Sequence, residues 1–335
     1  MDNMNSSNNI NTSPVPHSPQ PSKFIEVLIQ LAKCVGFLLV YLGVQFLAVQ
    51  IAGVVIALQT QSISSEMLTE KINAISVELT VICNLITLGI FFLVYYLSQR
   101  SLLKKINISL PDKNAYAPTA VIGVTGQFVT LVVLSFLMLF FPQDWIDMLN
   151  QTDEIITNAN PLLSFFAVVI LAPVFEEILC RGLILNTLKH AMPKWYAIVA
   201  SSAIFGIIHG NPIQFIYATA LGILLGWLYT KFDSIWIPIL CHLTFNLASQ
   251  LMSYLDTENM VVSALIGLFA YACVPIFVLA IIYVNLKKFN KKEDNVSVNT
   301  EFTPYFPINN APEYHKNALA ELEAQIECKK TNKEE

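Results

Sequence analysis

Apolar residues along this chain are gathered into long runs separated by short polar breaks. A helix needs about 20 apolar residues to cross about 30 Å of hydrocarbon, where no water can satisfy the backbone. Eight stretches fit this pattern, near 32–58, 76–98, 118–141, 161–188, 195–210, 212–230, 235–255 and 261–286. The fourth is long and the fifth short. That contrast points to tilt or to an elbow around His190 to Lys194, where Pro193 interrupts the run. Gly210-Asn211-Pro212 predicts a tight turn between the fifth and sixth. The expected fold class is an all-α polytopic integral membrane bundle of about eight transmembrane helices. Its domain would cover 24–286, between a polar tail at 1–23 and a second at 287–335.

The tails differ in kind. Residues 1–23 are rich in Asn, Ser and Pro and carry no basic stretch followed by an apolar one, so they read as a disordered tail and not as a signal peptide. In the C-terminal tail, ALAELEAQIECKK at 318–330 sets Leu319, Leu322 and Ile326 on one helical face, the pattern of a marginal surface helix.

Composition sharpens the membrane reading. Of 335 residues, 55% are hydrophobic and only 13% are charged, about half the charged share of an ordinary soluble chain. A net charge of −5 leaves no basic footprint for nucleic acid. The six cysteines form no C-x-x-C pair, and Cys34, Cys83, Cys180, Cys241 and Cys273 lie within apolar runs, as small core hydrophobes do. With the N-terminus inside, nearly all Lys and Arg fall on the cytoplasmic side, while the outer loop 142–160 carries Asp144, Asp147, Asp153 and Glu154 without a basic residue. Both termini are therefore expected to be cytoplasmic.

Ionisable groups at membrane depth are costly, so each marks a functional candidate. Glu176, Glu177 and Arg181 fall in the fourth segment, His209 in the fifth and His242 in the seventh. The helical rise sets Glu176, His209 and His242 roughly 18, 22 and 13 Å from the inner boundary. One compact site then requires tilt or a re-entrant start to the fifth helix. Glu177 and Arg181, four apart, face each other as an ion pair would, and their expected role is a structural brace. Adjacent Glu176 points about 100° away and is the candidate general base for a water. His242 and Asn246 share a helical face and could donate to a developing oxyanion. Phe205 lies one turn before His209, which Gly206 and Gly210 flank with small surface.

These residues read EEILCR at 176–181, FGIIH at 205–209 and HLTFN at 242–246. In this order, each on its own apolar segment, they resemble the E-E-x-x-x-R, F-x-x-x-H and H-x-x-x-N/D motifs of the CPBP family. That family of intramembrane endopeptidases includes the type II CAAX prenyl proteases and bacteriocin-processing or immunity proteins. The resemblance covers about 118–255. It implies an eight-helix membrane protease in which Glu176 activates water with the help of His209, while His242 and Asn246 stabilise the tetrahedral oxyanion.

Two histidines and a carboxylate also make a valid catalytic zinc set, so zinc and a metal-free glutamate mechanism stand as alternatives, the metal-free one favoured. No H-E-x-x-H, G-x-G-D or G-x-S-G motif is present, which sets aside three other intramembrane protease chemistries. The expected function is hydrolysis of peptide bonds in membrane-associated peptides or proteins, in a bacterial cell membrane. A non-hydrolytic immunity or scaffolding protein that binds a peptide in the same pocket is the runner-up. A proton-coupled transporter is the third reading, and the matched repeats it calls for are not seen.

Overall fold

The computed structural model describes residues 23–60, 63–255 and 259–289. The chain divides into two compact units, Met1–Lys292 and Glu293–Glu335, and every described residue belongs to the first. The readings made for 1–22 and for the helix at 318–330 lie outside the described residues.

The described residues are helical, with no strand among them. The long helices are α1 (Lys23–Gln59), α3 (Ser76–Leu97), α5 (Tyr116–Leu137), α7 (Pro161–Leu188), α9 (Pro212–Phe232) and α11 (Met260–Leu286). Between them come α2 (Ser65–Ala74), α4 (Leu102–Ile106), α6 (Gln143–Asn158), α8 (Lys194–Ile207) and α10 (Trp236–Met252). Each of the eight expected segments is therefore a helix. Six are long and apolar enough to cross a membrane. The other two are shorter, α8 with 14 residues and α10 with 17, and α10 also carries His242, Asn246 and Gln250. Large apolar side chains such as Leu39, Phe46 and Leu58 on α1 and Leu268, Tyr271 and Leu279 on α11 lie exposed, as an all-α polytopic membrane bundle requires of its lipid face.

Local chemistry accounts for the breaks. α7 ends at Leu188 and Pro193 caps α8, which forms the expected elbow. At the next break Gly210 adopts φ +70°, a conformation that L side chains rarely take. Asn211 then accepts hydrogen bonds from the N–H groups of Ile213 and Gln214, and Pro212 opens α9.

α7 is not uniform. Its first turn, Pro161–Phe165, runs into a π-helical stretch, Phe166–Leu171; an α segment, Ala172–Glu177, then leads to a second π stretch, Ile178–Leu185. Pro173 has no N–H to give the preceding turn, and the wider π winding just before it accommodates that loss.

Two buried clusters hold the bundle. One gathers Phe175, Leu179 and Leu183 of α7 with Ile198 and Phe205 of α8. The other joins Ile122 of α5, Leu225 and Leu228 of α9, and Ile237 and Phe245 of α10. α5 and α10 meet at Gly123, where a Cβ would run into Thr244 Oγ1 and the Cys241 carbonyl. At one end of the bundle Asn186 of α7 donates to the Lys105 carbonyl at 2.8 Å and also bonds the Tyr229 hydroxyl, tying α4 and α9 to α7.

Candidate active site

The motif residues come from three helices. α7 carries Glu176 and Glu177 at the end of its central α segment and Arg181 in the π stretch that follows. His209 follows the end of α8, and α10 supplies His242 and Asn246.

Glu177 is the hub. Its Oε1 accepts Arg181 Nη1 at 2.6 Å and lies 3.0 Å from His242 Nδ1. Arg181 Nη2 donates to the Gly222 carbonyl of α9 at 3.0 Å, and its guanidinium sits 4.7 Å from the centroid of the Phe205 ring. Glu177 and Arg181 are both fully buried. A buried pair of this kind needs its other donors and acceptors engaged, and α9 and α10 supply part of that, while Glu177 Oε2 and Arg181 Nε are buried without a hydrogen-bond partner.

Glu176 faces a different way. Its side chain keeps 19% of its surface, and its Oε2 stands 3.7 Å from His242 Nε2. The imidazole of His242 thus lies between the two carboxylates, Nδ1 toward Glu177 and Nε2 toward Glu176. Glu177, paired with Arg181, can only accept, so Nδ1 of His242 carries a proton.

The same reasoning assigns His209. Its Nδ1 lies 2.7 Å from the Phe205 carbonyl in the last turn of α8, an acceptor only. Nδ1 is therefore the donor, and Nε2 of the neutral ring is left as an acceptor. Phe205 meets both histidines edge to face, at 4.9 Å from His209 and 5.7 Å from His242. Phe205, one turn from His209, is the common wall of the site.

Asn246 is engaged elsewhere. Its Nδ2 donates at 2.9 Å to the Val168 carbonyl, within the first π stretch of α7. One amide hydrogen is thereby spent on holding the wound-out segment of α7 against α10.

Three contacts of the site carry no mark in the sequence. The carbonyls of Gly222 and Val168 are backbone groups, which no motif reports. Tyr41 of α1 stacks on Phe175 at 5.2 Å, beside Glu176 in the chain, and joins α1 to the same wall. α1 lies outside the span of the motif resemblance, and a lone tyrosine in an apolar helix gives no signal.

As for a metal, no three His, Cys, Asp or Glu side chains among the described residues are gathered so as to hold one. Both histidines use Nδ1 on an acceptor, His209 on a carbonyl and His242 on Glu177, which leaves Nε2 of each ring as the atom that would face a water or a metal.

Residues 158–248 match the family model described as Type II CAAX prenyl endopeptidase Rce1-like, a range that encloses all three motifs. The Bacillus subtilis (strain 168) protein named "Putative membrane peptidase YdiL" is 30% identical over 118 residues, 33% of this chain and 48% of that protein. The chain therefore spans about half the length of this curated relative. No solved structure matches. Over the stretch that encloses its three motifs, this integral membrane chain is similar to the Rce1-like endopeptidases, and a named membrane peptidase is among its relatives.

Proposed function

We propose that this protein is an intramembrane endopeptidase that hydrolyses peptide bonds in membrane-associated peptides or proteins, with Glu176 as the base that activates water. The observation that carries the reading is the pair of carboxylates on one imidazole. Glu177 is committed to Arg181 and His242 Nδ1, while Glu176 is left partly open beside His242 Nε2.

In this mechanism a water lies between two acceptors, a Glu176 oxygen and His209 Nε2, which between them orient both of its hydrogens. Glu176 takes one proton as the water oxygen attacks the scissile carbonyl carbon. The carbonyl oxygen becomes an oxyanion, and His242, when protonated at Nε2, donates to it together with the amide hydrogen that Asn246 does not spend on Val168. Collapse of the tetrahedral species breaks the C–N bond, and Glu176 returns its proton to the leaving amine. Arg181 and Glu177 touch no reacting atom and position His242.

The distribution of Lys and Arg supports cytoplasmic termini, with substrate entering from the cytoplasmic face. Cleavage of a quenched peptide library by the purified protein in detergent tests the reading. Activity that survives a strong zinc chelator and disappears in Glu176→Gln supports it. Activity lost to the chelator would assign His209 and His242 to a metal. A parent protein that binds membrane peptides and cleaves none would turn the assignment to the immunity or scaffolding role.

A further inference from the structure

α5, α9 and the last turns of α11 enclose a groove of about 730 Å³, with Phe245 of α10 in its wall. Its walls are aliphatic and aromatic apart from Thr130, Tyr217 and Asn285 among the side chains with polar atoms and the two indoles of Trp195 and Trp227. Along α9 the lining runs from Trp227 to Ile216, and 227 − 216 = 11 residues correspond to about 16 Å of helix. On α5 the lining continues to Leu137, its last residue, so the groove is at least as deep as one leaflet of a hydrocarbon core about 30 Å thick.

One end of the groove is chemically distinct. It lies where α8 begins and α9 and α11 finish, and there it is edged by Trp195, Trp227 and Asn285. Two ammonium groups are held on these same residues. Lys194 Nζ stands 5.7 Å from the Trp195 ring centroid, and Lys231 Nζ donates to the Asn285 carbonyl at 3.2 Å. Indoles at the level of the headgroups, with cations beside them and a long apolar slot below, match the three parts of a phospholipid in order.

We propose that this groove binds an anionic glycerophospholipid, one acyl chain lying along α9 and the phosphate between Lys194 and Lys231. The groove is lined by none of Glu176, Glu177, His209 or His242, and lipid binding there does not depend on hydrolysis. Two cations at the mouth favour a lipid with net negative charge over a zwitterionic one, whose own cation would meet the lysines. An apolar helix from a second copy would fill the slot but would make no use of the lysines.

Phospholipids with brominated acyl chains test this directly, because bromine quenches tryptophan and Trp195 and Trp227 line the groove. In delipidated full-length protein in detergent, brominated phosphatidylglycerol should quench at a concentration roughly thirtyfold below brominated phosphatidylcholine, the factor expected for two surface lysines. The double variant Lys194→Gln/Lys231→Gln should bring the two lipids together. Ala220→Phe, which fills the groove from α9, should weaken quenching by both. Equal quenching by the two lipids in the parent protein would overturn the proposal, as would an unchanged preference in the double lysine variant, which alters only the ends of two helices. Quenching that falls as protein concentration rises would give the groove to a second copy of the chain.

Discussion

His242 Nδ1 lies 3.0 Å from Glu177 Oε1, the same oxygen that takes the Arg181 guanidinium. The first motif helix and the third are joined at this atom. A brace within α7 thereby becomes the support that sets the orientation of a histidine on α10.

Removal of one member leaves the others charged and buried. Arg181→Ala is expected to destabilise the protein by about 3–5 kcal/mol, because Glu177 keeps its charge without its partner. Denaturant titration in detergent measures this. Unfolding at the parent midpoint would contradict the brace.

The two adjacent glutamates should separate by their readouts. Glu176 is partly open and bonds no protein group tightly, so Glu176→Gln is expected to unfold with the parent and to abolish hydrolysis. Glu177→Gln swaps an acceptor oxygen for a donor in a closed site and should lower the melting temperature. Equal melting temperatures for the two variants would remove the distinction between base and brace.

Asn246→Ala leaves the Val168 carbonyl without its donor in the π stretch of α7. A loss of about 1–3 kcal/mol is expected from the unpaired group. Hydrogen exchange should rise at 166–171 more than elsewhere in α7. Exchange unchanged there would detach Asn246 from the π stretch.

Gly123 allows α5 and α10 to touch, since a side chain there meets a backbone carbonyl that cannot swing aside. Gly123→Ala is expected to cost about 1–3 kcal/mol through strain and to reduce hydrolysis by shifting the helix that bears His242. Gly36 on α1 has open space around the same position. Gly36→Ala should therefore be neutral or slightly stabilising, and the pair of variants separates close packing from helix propensity in one melting experiment.

What the chain alone determined follows from local rules. Eight apolar runs became eight helices, Pro193 made the elbow, and Gly210-Asn211-Pro212 made the turn, because each depends on neighbours within a few residues. The Glu177 and Arg181 pair was legible for the same reason, four residues being one helical turn. The spacing that revealed this pair also led to an estimate of separate depths for Glu176, His209 and His242. That estimate assumes an even rise of 1.5 Å, and α7 departs from it over Phe166–Leu171 and Ile178–Leu185, where π winding packs more residues into each turn.

Only the tertiary structure decided which groups meet across helices. Nothing in EEILCR says that the second glutamate turns toward the histidine of HLTFN, or that Asn246 reaches back to the Val168 carbonyl. All eight expected segments are helices, and α8 and α10, with 14 and 17 residues, stand apart from the six long apolar ones. A sequence records period and polarity along one axis. Contacts between α7, α8 and α10 depend on tilt, winding and close approach at residues such as Gly123, and those are settled only when all the helices pack at once.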